Sequence, residues 1–161
     1  MLDNFSWVIP GRLAGAALPG GYTAGAQPAL DDLRELRERG VRCLVSLSDR
    51  AEAFGPLCEQ AGLEWLYHPL PEFGIPEDDE GFAALVRELQ GRLERGVAVC
   101  AHCYAGVGRT GLLLCCLVGR HLGLPAAEAI TRVRAVRRAI ETPEQERYVH
   151  RYLRRAEGGA A

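Results

Sequence analysis

The chain contains no lysine: all 19 of its basic residues are arginine. A Walker-type phosphate loop ends in Gly-Lys-Ser/Thr, and Schiff-base or pyridoxal chemistry requires a lysine amine, so both classes are excluded. Charge of one sign is not in excess either. The formal net charge of −2 and a pI of 6.1 supply no field that would draw in nucleic acid or an anionic membrane. Long apolar runs are missing: residues 112–118 fall far short of the ~20 that span a bilayer. The opening "MLDNFSWVIPGR" lacks the basic start and apolar run of a secretory signal. The expected compartment is therefore the cytoplasm, with no membrane and no nucleic acid as partner. In that setting the six cysteines read as reduced thiols and not as a disulfide framework.

What is present suits one folded unit. The 161 residues are 48% hydrophobic and 25% charged, and no linker or repeat divides them, so a single domain over 1–157 with a disordered tail at 158–161 is expected. Two segments share one grammar. "DDLRELRERGVRCLVSLS" (31–48) and "FAALVRELQGRLERGVAVCAHC" (82–103) each run an amphipathic helix through "ERGV" into a β-branched apolar strand. Leu30, Leu33 and Leu36 share one helical face and Leu85, Leu89 and Leu93 another, with Gly40 and Gly96 where left-handed helix caps belong. "LEWLYHPL" (63–70) reads as a further strand led by a short helix, and "FSWVIPGRLAGAAL" (5–18) as an antiparallel edge hairpin turning at Pro10-Gly11. Helices are expected from Thr110 to Leu122, across "AAEAITRVRAVRRA" (126–139), and after Thr142 as N-cap, with Gln145 in the capping-box position. The fold class is α/β: a compact domain with a central, mostly parallel twisted sheet flanked by helices.

The chemistry gathers in "CYAGVGRT" (103–110), between a buried strand and an apolar helix. Strand, glycine turn and helix N-terminus make an anion site, because successive backbone N–H groups and the helix dipole converge there. A thiol in that field is a nucleophile at neutral pH. The expected roles are Cys103 attacking phosphorus in line and Arg109 holding two oxygens of a tetrahedral dianion. The backbone of Tyr104, Ala105, Gly106, Val107, Gly108 and Arg109 binds the rest of the phosphate. No metal or other cofactor is expected.

At His102, Cys103, Arg109 and Thr110 the chain resembles the Cys-based protein tyrosine phosphatase superfamily, whose signature is H-C-x5-R-[ST]. "NFSWVIPGRLAGAALP", "VSLSDR", "HPLPEFGIP" and "IETPEQE" are similar to its small atypical dual-specificity phosphatases, over Asn4 to Tyr148. The resemblance implies hydrolysis of phosphotyrosine, with phosphothreonine as a second class, and the expected partner is a phosphorylated protein or peptide acted on by a monomer. It also implies that Thr110 stabilises the thiolate and that His102 fixes the loop geometry. The family's general acid is an aspartate in a sequence like I-P-D-F, and this chain has "LPEF" there, making Glu72 the candidate ahead of Asp78 and Asp79. Those two also read as first-turn acids of a helix.

Other features have plainer readings. Cys100 and Cys103 spell C-x-x-C, but no second pair completes a zinc site and Cys100 falls inside a strand. Cys115 and Cys116 read as core, with a protective disulfide to oxidised Cys103 as the alternative. His102 alone reads as a hydrogen-bonding histidine, and the eight arginines from Arg132 to Arg155 as a solvated helix face. Two functions compete with the protein phosphatase: a phosphoinositide or inositol phosphate phosphatase, and a phosphotyrosine-binding module of low activity.

Overall fold

The computed structural model describes residues 2–22 and 25–158. β1 (Ser6–Ile9) and β2 (Leu13–Ala16) form the expected antiparallel hairpin at one edge of a five-stranded sheet. β3 (Cys43–Ser46), β4 (Glu64–Tyr67) and β5 (Val99–His102) continue it in parallel, in the order β1-β2-β5-β3-β4. β5 therefore lies in the middle, paired with β2 and β3, and all four of its residues are buried. Its continuous apolar run is what a parallel strand covered on both faces requires.

Two layers of helices supply that cover. On one face α1 (Ala26–Glu38) and α2 (Gly55–Ala61) pack Leu30, Leu33, Leu36 and Cys58 against Ala14, Leu44 and Cys100. On the other, α3 (Asp79–Glu94) and α4 (Gly108–Leu122) set Leu89, Leu93, Leu113 and Leu117 against Val45, Val99 and Ala101. α5 (Ala126–Arg134) and α6 (Pro143–Gly158) pack on α4. Each leucine so buried contributes about 1.5–3 kcal/mol. Gly40 and Gly96 take φ of 107° and 80° just past α1 and α3, as expected of left-handed caps.

Three details differ from the sequence reading. α4 starts at Gly108, not Thr110, because the Val107 carbonyl already accepts from Gly111 N at 2.9 Å and closes the first turn. α5 stops at Arg134 instead of running to 139, because the Arg134 side chain bonds the Ala139 carbonyl at 3.0 Å and the chain turns inward there. Gln145 N bonds Thr142 Oγ1 at 3.1 Å as a cap should, but the Gln145 side chain takes Glu141 N at 2.9 Å instead of the Thr142 amide. α6 is described to Gly158, and the remainder of the tail expected to be disordered, 159–161, lies outside the described residues. Among the described residues no single helix is long and apolar enough to cross a membrane.

α4 lies unusually close to the 139–140 segment at Gly111, where a Cβ would stand 2.5 Å from Ile140 N and 2.7 Å from Ala139 Cα. Helix propensity favours alanine by up to about 1 kcal/mol, whereas overpacking against backbone costs about 1–3 kcal/mol. The clash wins. Gly111→Ala should therefore lower unfolding free energy in urea by about 1–2 kcal/mol, while Gly91→Ala in α3, facing only the end of Arg95, should raise it.

Candidate active site

The parallel strands deliver Cys103 to the carboxyl end of β5, the crevice where open α/β sheets bind ligands. From there the chain curls through 104–107 into α4. The curl depends on Gly106, at φ 80°, where any Cβ would come within 2.5 Å of the Ala16 carbonyl oxygen.

Each carbonyl of this loop is held by a donor outside it. Cys103 O accepts from His102 Nδ1 at 2.9 Å, Tyr104 O from Leu18 N at 2.9 Å, and Ala105 O from Asn4 Nδ2 at 3.0 Å. Gly106 O accepts from Arg137 Nη2 at 2.7 Å, and Val107 O from both Gly111 N and Ile140 N. In a trans peptide the carbonyl and the following amide point in opposite directions. Anchoring five carbonyls outward turns the amides of Tyr104, Ala105, Gly106, Val107 and Gly108 to the inside of the curl. Among the described residues none accepts a hydrogen bond from these amides. They are free to bind an anion.

Cys103 is 2% exposed and Arg109 6% exposed, so both lie below the surface. Arg109 Nη1 rests 3.4 Å from the Leu70 carbonyl, a long and weak bond that an oxyanion can displace. Among the described residues the buried Thr110 hydroxyl has no hydrogen-bond partner, which leaves a donor at the start of α4 unused. The three non-glycine residues at positive φ among those described, Asn4, Phe73 and Ile140, all adjoin this site: Asn4 and Ile140 bond the loop and Phe73 follows Glu72. Such strain of about 1–3 kcal/mol per residue gathers where function over-determines the backbone.

His102 is fully buried between two fixed partners. Its Nδ1 faces a carbonyl and so must carry the proton, leaving Nε2 to accept from Ser46 Oγ at 2.6 Å, while Ser46 in turn accepts from Trp65 Nε1 at 2.9 Å. Burial pushes the imidazole down to about 4, with the Arg109 charge acting in the same direction and the bond to Cys103 O opposing. The histidine is neutral and donates to the loop backbone.

A cleft of about 390 Å³ opens over Arg109, and Asp49, Arg50, Leu70, Glu72 and Glu77 are among its walls. Glu72 is exposed on a turn closed by Gly74 N to Pro71 O at 3.0 Å, and the turn is tied to α6 by Gln145 Nε2 on Gly74 O at 3.1 Å. The structure brings Glu72 to the cleft and gives its rivals other work. Asp78 caps α3 by accepting from Gly81 N at 3.0 Å, and Asp79 accepts from Tyr148 Oη at 2.8 Å and from Arg155. Tyr104 is half-buried beneath the Arg50 guanidinium, 4.3 Å from its ring centroid. Cys100 and Cys103 belong to clusters on opposite faces of the sheet, so they do not act as a pair. Cys115 and Cys116 are buried core residues.

Sequence reasoning missed Asn4, Ser46, Asp49, Arg50, Glu77 and Arg137. Asp49 and Arg50 follow the carboxyl end of β3, which was a usable signal in a parallel sheet. Nothing local marked the others.

Comparison with known proteins gives a consistent picture. The family described as polymorphic toxin system, DSP-PTPase phosphatase matches residues 14–123. Cyclin-dependent kinase inhibitor 3 of Mus musculus is 28% identical over 130 residues, covering 75% of this chain and 61% of that protein. Dual specificity protein phosphatase CDC14C of Symphalangus syndactylus is 26% identical over 160 residues, 91% of this chain and 30% of that one. The chain thus covers less than two thirds of either relative. The crystal structure of Tk-PTP in the active form superposes with a TM-score of 0.79 at 28% identity, over 96% of this chain and 99% of that one.

Neutral His102 has a stability signature. Its folded-state value of about 4 lies below the usual 6.5, so the unfolded chain takes up the proton first. The stability is present above about pH 6.5 and is lost as pH falls toward 4, by about 3 kcal/mol in total. Urea unfolding across that range should show the loss, and His102→Gln should flatten it.

Proposed function

The chain belongs to the DSP-PTPase phosphatase family, and on that membership we propose that it hydrolyses phosphomonoesters of tyrosine, and secondarily of threonine, in protein or peptide substrates. The observation that carries the reading is the loop itself: five inward amides around a thiol, with a buried arginine behind them. Cys103 Sγ attacks phosphorus in line as the bond to the leaving oxygen breaks. Glu72, on the cleft wall, gives that oxygen its proton. Arg109 and the loop amides bind the three non-bridging oxygens, whose charge is spread in the transition state. Water then attacks the cysteinyl phosphate, passing a proton back to the Glu72 carboxylate, and inorganic phosphate leaves as the thiolate returns. The orphan Thr110 hydroxyl is the donor for that thiolate.

The cleft bears on substrate class. Carboxylates of Asp49, Glu72 and Glu77 outnumber the guanidinium groups of Arg50 and Arg109 along its walls, and the loop side chains Tyr104, Ala105 and Val107 add no cation. A head group with several phosphates meets repulsion there, which supports a single phosphomonoester over a phosphoinositide. The six free, buried thiols support a reducing compartment, and a monomeric cytoplasmic enzyme is the proposed setting.

Phosphate release from a phosphotyrosine peptide in EDTA tests the mechanism. Cys103→Ser should lose turnover by at least about 1,000-fold. Glu72→Gln should slow phosphothreonine peptides by about 100-fold or more and nitrophenyl phosphate far less, since an alkyl alcohol needs the proton more than a phenol does. Asp78→Asn should match wild type on both. Peptide binding without turnover by the wild type would instead identify a binding module.

A further inference from the structure

Arg137 is a buried cation that the catalytic cycle above does not use. It is 6% exposed, and the two N–H groups of Nη1 are shared among three acceptors, Asn4 O at 2.9 Å, Ser6 Oγ at 2.8 Å and Gly15 O at 2.7 Å. Nη2 donates to Gly106 O at 2.7 Å, and Nε has no partner. Among the described residues no carboxylate pairs with it. An ion buried without a counter-charge is costly, so a guanidinium held only by neutral oxygens calls for an explanation.

Its position supplies one. The side chain enters from the segment after α5, passes over β2 at Gly15, where a Cβ would come within 2.8 Å of the guanidinium carbon, and ends on the phosphate-binding curl. Asn4 completes the attachment: its carbonyl accepts from Arg137, its side-chain amide donates to Ala105 O, and its φ of 53° holds both directions at once. Ala105 O and Gly106 O belong to the peptides whose amides are those of Gly106 and Val107. Pinning the two carbonyls therefore aims two consecutive amides at the anion. Burial lowers the pKa of Arg137, with Cys100 and Cys103 acting in the opposite direction.

We propose that Arg137, with Asn4, is a positioning residue of the catalytic loop: it fixes the Gly106 carbonyl outward so that the Val107 amide faces the phosphoryl oxygens, and it places a buried positive charge behind the thiolate. This rests on the loop being the oxyanion site of the proposed phosphatase. The paired negative charge is then the thiolate or the bound phosphate, which accounts for a cation with no carboxylate.

The test uses inorganic tungstate as the probe, titrated calorimetrically, beside kcat and KM for nitrophenyl phosphate, each per folded molecule. Removing one pre-aimed oxyanion donor costs about 100-fold in kcat in comparable sites. Arg137→Met should therefore lower kcat by about that factor and weaken tungstate at least about tenfold, with Arg137→Lys recovering part of both. Asn4→Ala, a part-exposed change that leaves the buried cation in place, should weaken tungstate by several-fold and keeps the test alive if Arg137→Met fails to fold. Leu36→Ala, on the opposite face of the sheet, should destabilise the protein more yet leave tungstate affinity unchanged. Wild-type affinity and kcat in the Arg137 and Asn4 variants would overturn the proposal alone. A wild type that bound no tungstate would overturn it together with the phosphatase reading.

Discussion

A trans peptide cannot aim its carbonyl and its amide at the same point, and the loop from Cys103 to Gly108 is organised by that constraint. For its amides to gather around an anion, its carbonyls need partners elsewhere. They find them on five separate parts of the chain: the His102 ring, the Leu18 amide, the Asn4 side chain, the Arg137 guanidinium and the Ile140 amide. The anion site is thus a property of the whole fold, although the residues facing the anion are consecutive.

That dependence explains why polar groups are buried so deeply here. Trp65, Ser46 and His102 form a directed chain of donors ending on Cys103 O. A chain fully satisfied at each step is stable in a low dielectric, where an unpaired member would cost several kcal/mol. Neutrality of His102 is part of the same arrangement, because a second proton on Nε2 would reverse the bond to Ser46, deprive the Ser46 hydroxyl of its acceptor and set a charge beside Arg109. The left-handed backbones of Asn4 and Ile140 are tolerated for a similar reason: each puts a donor where the loop needs one.

Charge is layered across the site. Arg109 and Arg137 lie buried, and Asp49, Glu72 and Glu77 line the cleft together with Arg50 and Arg109. Glu72 is placed on the cleft wall by a turn tied to Gln145, whereas Asp78 and Asp79 have the same chemistry and are engaged in capping α3 and in bonding Tyr148. Location, not acidity, separates the three.

Much of this was legible in the residues. The alternation of leucine-faced helices with β-branched strands determined a parallel α/β sheet, because each pattern has one way to bury its apolar side. Cys103, Arg109 and the glycines between them determined the anion loop, because its atoms are local and its geometry is short-range. Gly40 and Gly96 marked their caps for the same reason. Tertiary structure alone decided what stands around that loop. Arg137 looked like one arginine in a solvated helix face, and only the early end of α5 turns it inward; Asn4 lies 101 residues from the carbonyl it holds. Such pairings depend on where strands β2 and β5 meet, and no periodicity in either segment encodes the other. Backbone hydrogen bonds to distant side chains leave no pattern in the sequence, which is why the loop itself was readable and its supports were not.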